Sequence, residues 1–396
     1  MSPPLAGRVR DLRPTAVNRV LAEVRAAQAR GVRTVSLMRG EPDLPTPAHI
    51  VEAAARSLRD GRTGYPDNRG ELAYREAVAL KLERDNRLRY DPATEILATS
   101  GATFGIHAAL MAVLDPGGEV LLPDPIYDAY ASPIRLAGGV PVRVPCPLRG
   151  PRFELHAEAV AGQITARTRA LLLNTPWNPT GTVFGEGELR AIARVVMERN
   201  LWLLSDEIYE AFTYGGARHL SPVAAAPELR SRTILINALS KTYSMTGWRV
   251  GYCAAPPEVA SAMLLVLQQS SRGPATFVQD AATEALRGAQ DAVGAMRRDY
   301  DARRALVLER LAGMSACHPL PPEGGFFVMA SLAPSGCTSD EVRRRLLEEH
   351  GVVVIHGAAY GACGEGTLRV SFAAGGEALS EGLARLRAGL EAITAE

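Results

Sequence analysis

Lysine is nearly absent from this chain: Lys81 and Lys241 are the only two among 44 basic residues. Arginine keeps its proton, whereas a partly buried lysine can release one and form a Schiff base with a carbonyl. Lys241 sits in NALSKTYSMTGWRVGY (237–252), between an apolar run and a polar loop, with Arg249 eight residues on. Other apolar runs also end in reactive types. EILAT leads into SGATFG, where Gly101, Ala102 and Thr103 offer backbone N–H groups at a helix start, a ready anion site. LLLN leads into TPWNPTG with Asn178, and LWLLS into DEIYEAF with Asp206 and Tyr209. EVLLP leads into DPIYDAY, which offers the flat ring of Tyr127. Lys81, in the charged helical pattern ELAYREAVALKLERDN, reads as solvated surface.

These groups need a scaffold. Apolar runs recur at 95–99, 119–123, 141–145, 169–174, 201–205, 233–237 and 249–255. Most are continuous rather than alternating, as strands covered on both faces should be. Amphipathic segments such as GIHAALMAVL (105–114) and ELRAIARVVMERN (188–200) lie between them. The alternation predicts an α/β unit with a mostly parallel seven-stranded sheet, with ligands beyond the carboxyl ends of its strands. A helical pattern at 289–311 then precedes FFVMASL, GVVVI, TLRVSFA and a closing helix, which predicts a smaller α+β unit. The expected division is an N-terminal segment (1–45) packed on the small domain, a large domain (46–288) and a small C-terminal domain (289–396).

An anion cradle, a buried acid, a phenol, an amide, an aromatic plate and a Schiff-base lysine together form the set that pyridoxal phosphate needs. Its phosphate calls for N–H donors and an arginine, and its ring nitrogen for a carboxylate that keeps it protonated. At PWNPTG, SDEIYE and SKTYSMTGWRVGY the chain resembles the class I/II aminotransferases of fold type I, the aspartate- and aromatic-type group. The likeness runs from about Gly40 (RGEPDLPTP) to about Ala373. It implies that Lys241 is the Schiff-base lysine and proton carrier, Asp206 the partner of the ring nitrogen, and Tyr209 and Asn178 donors to the phenolate oxygen. Gly101, Ala102, Thr103 and Arg249 would hold the phosphate, with Tyr127 stacked on the ring. Arg369 in TLRVSFA would clamp the substrate carboxylate, Gly40 would line the substrate side, and Tyr65 in TGYPDNRG would reach the phosphate of a neighbouring subunit. The resemblance thus implies a homodimer with active sites at its interface, acting on an amino acid and a 2-oxo acid in a ping-pong cycle.

Some positions depart from the family. Thr103 stands where aspartate-specific relatives place a lysine that grips the distal carboxylate, so a donor other than aspartate is expected. Arg39 and Arg272 are candidate replacements for that cation. Ala238 stands where some relatives carry a phosphate-binding serine. His356 stands where many carry proline, and a satisfied buried histidine is its leading reading. With Asp124 and Asp128 beside Tyr127, these features leave an alternative. It is a β-eliminating or cyclising enzyme, or an oxidase, for an arginine-type amino acid, similar to capreomycidine synthase.

Composition excludes other classes. Net charge is +1 and the isoelectric point near 7.7, so no overall field favours nucleic acid or an anionic membrane. Five dispersed cysteines lack metal-ligand spacing and read as reduced, small core residues. Arginine-rich stretches such as RRRLLEEH read as solvated helix faces. With no apolar signal core and no long apolar run, the expectation is a cytoplasmic protein without a metal.

Overall fold

The computed structural model describes residues 3, 5–10 and 12–394. Each of the seven apolar runs forms a strand of one sheet: β1 (Ile96–Thr99), β2 (Glu119–Asp124), β3 (Val140–Pro145), β4 (Thr168–Asn174), β5 (Trp202–Asp206), β6 (Thr233–Ala238) and β7 (Gly251–Ala254). Their order is β1-β7-β6-β5-β4-β2-β3. Only β7 opposes its neighbours, so the sheet is mostly parallel. β1, β2, β6 and β7 are buried at every position, and the edge strand β3 is partly exposed. Continuous apolar runs gave buried strands because helices cover both sheet faces.

The chain enters through helix α1 (Ala16–Ala29), capped by the Thr15 hydroxyl, which accepts from the Asn18 N–H. α1 buries Ala16, Val20, Val24 and Ala27 in a cluster with Leu347, Val353, Ile355 and Tyr360. Beyond it Val35–Ser36 pairs in parallel with Val352–Val353. Helix α2 (Ala102–Val113) follows β1. Late in the chain, α3 (Asp291–Leu311), α4 (Ser339–His350) and α5 (Gly376–Thr394) flank a second sheet. Its strands are β8 (Cys317–Leu320), β9 (Phe327–Leu332), β10 (Ile355–His356) and β11 (Thr367–Ser371), antiparallel in the order β8-β9-β11-β10. A second apolar cluster covers this sheet and reaches Tyr209 and Phe212 of the loop after β5. From these contacts we infer the division into 1–45, 46–288 and 289–396.

Three readings of burial need correction. Lys81 is buried; its amine donates to Asn86 Oδ1 at 2.7 Å and pairs with the Glu210 carboxylate. Glu210 also accepts from Asn86 and Asn237, at 2.7 and 2.6 Å. Burial raises the Glu210 pKa, but Lys81 and its other partners outweigh that and hold it below the usual range. In RRRLLEEH, Arg343 is only 2% exposed. It donates to Glu23 of α1 at 2.7 Å and to Asp340 at 2.9 Å. Cys146, Cys253 and Cys317 are buried thiols as expected, whereas Cys337 is exposed and Cys363 half-buried. Among the described residues no helix is long and apolar enough to cross a membrane.

Candidate active site

A cavity of about 920 Å³ opens at the carboxyl ends of β4, β5 and β6, with α1, α2 and the small sheet as walls. Asp206, Tyr209, Asn178, Lys241, Arg249, Arg369, Ala102, Thr103, Tyr127 and Gly40 all border it. Residues far apart in the chain meet there because most of them end a strand or begin the segment that follows one, while Arg249 precedes β7 and Arg369 lies within β11.

Lys241 lies in the short helix Leu239–Thr242 just past β6. Its Nζ donates to the Gly40 carbonyl at 2.6 Å. Burial lowers its pKa from 10.5 to about 8; Glu41 and Asp206 oppose the shift, while Arg249 and Arg369 assist it. Asp206 ends β5 and is 4% exposed. Burial lifts its pKa to about 6, against hydrogen bonds from the Tyr130 hydroxyl (2.7 Å) and the Ile208 N–H (3.2 Å). A buried acid and a buried amine on one cavity, each disfavoured in its charged form, are suited to exchanging protons near neutral pH.

Asn178 connects the remaining groups. Its Nδ2 donates to the Tyr209 hydroxyl at 3.3 Å, and its Oδ1 accepts from Arg369 Nη1 at 3.2 Å. Arg369 sits in β11, opposite Met329 and Ile355, with its guanidinium 4.0 Å from the Phe327 ring centroid and 4.9 Å from that of Tyr360. Nη2 donates to the Met38 carbonyl at 3.0 Å, and Nε is buried without a partner among the described residues. A buried donor without an acceptor is costly unless an anion meets it.

At the other end, Gly101 precedes α2 with φ 81°, a conformation that favours glycine. A Cβ there would lie 2.7 Å from Arg249 Nη2, so glycine is what admits the guanidinium against the first N–H groups of the helix. Arg249 itself has φ 55° and donates to the Thr246 carbonyl at 2.9 Å. Left-handed backbone at a residue with a side chain is strain of the kind found at ligand clamps. Together these groups form an anion cradle. Tyr127 lines the cavity, its ring edge-on to Tyr130 at 5.4 Å. Tyr65 lies outside the cavity, 89% exposed, with the Arg272 guanidinium 5.7 Å from its ring centroid.

Tyr130, Ser240 and Thr246 border the site and were missed in the sequence, although Tyr130 stands in the quoted DPIYDAY. Of the features behind the arginine-type alternative, Asp124, Asp128 and His356 do not border the cavity. Asp124 accepts from the Ala362 and Cys363 N–H groups, both at 3.1 Å, and Asp128 from the Ala16 N–H at 2.5 Å. His356 is half-buried with Nδ1 3.2 Å from Asp340, and burial lowers its pKa. Glu207, Glu210 and His219 group closely enough to suggest metal ligands, but Lys81 already occupies Glu210.

The profile of the family described as aminotransferase class I and II matches residues 33–385. A probable aspartate/prephenate aminotransferase of Aquifex aeolicus is 40% identical over 394 residues, covering 98% of this chain and 99% of its own. An aromatic-amino-acid aminotransferase of Thermococcus litoralis is 41% identical over 354 residues, 89% of this chain and 90% of its own. The crystal structure of aspartate aminotransferase from Rhizobium meliloti superposes with a TM-score of 0.94 at 33% identity, covering 98% of this chain and 99% of that one. The chain belongs to the class I and II aminotransferases, with the fold type I architecture and pyridoxal 5'-phosphate as cofactor. The Gly101–Arg249 cradle fits a phosphate, and the buried Asp206 fits a protonated ring nitrogen.

Proposed function

We propose that this aminotransferase moves the α-amino group of an amino acid other than aspartate to a 2-oxo acid in a ping-pong cycle. The arrangement of Lys241, Asp206 and Arg369 on one cavity carries this reading. Bound there, pyridoxal phosphate supplies an aldehyde that takes up the amino group and a ring that withdraws electrons from the substrate α-carbon. Arg369 holds the α-carboxylate through its planar fork, which meets the need of its unpaired Nε. Lys241 Nζ, brought to about 8, takes the α-proton near neutral pH and returns it elsewhere. Asp206 keeps the ring nitrogen protonated, and Tyr130 and the Ile208 N–H hold its carboxylate in place. Tyr209 and Asn178 would hold the phenolate oxygen, Tyr127 would cover the ring, and Gly101, Ala102, Thr103 and Arg249 would hold the phosphate, with Gly40 on the substrate side.

Two observations support a donor other than aspartate. Thr103 contributes no cation at the cavity wall, and the cavity extends well past the site groups to α1. Tyr65, exposed and outside the cavity of its own chain, supports a homodimer in which the partner subunit's Tyr65 completes the phosphate contacts. The eliminating or cyclising alternative gains nothing here, since Asp124, Asp128 and His356 do not border the cavity.

The test is to titrate purified holoenzyme with single amino acids in the absence of any 2-oxo acid. A donor should shift the cofactor absorption band in proportion to the 2-oxo acid released, and then stop. Continued consumption of the amino acid without an acceptor would overturn transamination.

A further inference from the structure

The loop 38–41 is pinned into the site by its backbone. The Met38 carbonyl accepts from Arg369, the Arg39 carbonyl from the Ser371 hydroxyl and the Gly40 carbonyl from Lys241. The side chains of Arg39 and Glu41 therefore start from a fixed place, and both border the cavity. They pair with each other, Nη2 to Oε1 at 2.5 Å, while 60% and 43% exposed. An ion pair so exposed contributes little and is easily exchanged for another partner. Glu41 has a second partner at hand, the Thr246 hydroxyl at 3.5 Å from Oε2.

Charge adds a second argument. The cavity is bordered by Arg25, Arg39, Lys241, Arg249 and Arg369 against only Glu41 and Asp206. On the proposed function, the cofactor and the α-carboxylate account for Lys241, Arg249, Arg369 and Asp206. Arg25, Arg39 and Glu41 remain, one cation in excess, and Arg25 makes no hydrogen bond or ion pair among the described residues. The wall that carries Arg25 mixes apolar Val17, Leu21 and Val24 with neutral polar Asn18, Gln28, Thr34 and Ser36, none of which supplies a further charge. A neutral or cationic side chain would leave the excess unmatched.

Resting on that function, we propose that Arg39 determines specificity: it takes donors whose side chain, longer than that of aspartate, ends in a second carboxylate. Glu41 holds the Arg39 guanidinium until the substrate carboxylate replaces it, and then turns to Thr246.

The test compares 2-aminoadipate with norleucine, which are alike in length and differ at the distal carboxylate. Alongside it, adipate and hexanoate binding to the holoenzyme are read from quenching of intrinsic fluorescence. In Arg39→Ala the acidic-to-neutral ratio should fall about tenfold or more both in kcat/KM and in affinity, and Arg39→Lys should recover part of it. Glu41→Gln should raise both ratios, because the internal competitor is lost. Ratios within about twofold of wild type in Arg39→Ala would overturn the proposal, as would a fall in Glu41→Gln. If no amino acid is turned over, the proposed function fails, while the adipate-to-hexanoate ratio still decides the role of Arg39.

Discussion

Lys241 and Asp206 both lose stability to the cofactor-free fold in return for reactivity. Between pH 8 and 10.5 the unfolded chain keeps a proton on Lys241 that the native chain has released. Stability from this group therefore rises with pH through that window and is lowest below it, by about 3 kcal/mol. Lys241→Met should accordingly stabilise the cofactor-free protein at pH 7 and do so less at pH 10, as read by urea denaturation. Equal effects at both pH values would refute it. Asp206 runs the other way: between 3.8 and about 6 the native chain keeps a proton that the unfolded chain has lost, so its contribution falls as pH rises. Asp206→Asn should also stabilise the cofactor-free fold at pH 7, while weakening retention of the cofactor in dialysis. Arg369→Lys keeps the charge but not the fork, and kcat/KM should drop by about 10- to 100-fold.

Among the elements, the seven core strands were legible because a strand covered on both faces is apolar throughout, and each of the seven runs lies in the sheet. The loops that follow them were legible because cradle, amide, acid and lysine stand at strand ends. Lys81 and Arg343 were not. A helical pattern gives the period of the charges but not which of them finds a buried partner, and both residues do so through segments distant in sequence. Tyr130 was passed over because two tyrosines stand three apart and only the fold shows which one meets Asp206. The Lys81–Glu210 contact ties the helix Leu72–Asn86 to the loop after β5. Lys81→Met leaves a buried carboxylate without its cation and should cost about 3–5 kcal/mol in thermal or urea unfolding. A loss below about 1 kcal/mol would show that Asn86 and Asn237 suffice to hold Glu210.

At the scale of the molecule, the small sheet, α1 and the large sheet meet at one cavity, so on the proposed function substrate binding draws on all three. Tyr65 adds a fourth contributor in the proposed dimer. Sedimentation should find two chains per particle, and Tyr65→Phe should release the cofactor faster without changing that mass. A monomer that keeps its cofactor as tightly as the wild type would remove Tyr65 from the site.

The scarcity of lysine has a practical side. One of the two amines is locked against Glu210, and the other stands inside the cavity. Amine-directed acylating reagents thus meet a protein whose lysine chemistry is confined to Lys241, where, on the proposed function, the bound cofactor would block them. The mass gained at that residue becomes a direct gauge of how much enzyme in a preparation is loaded.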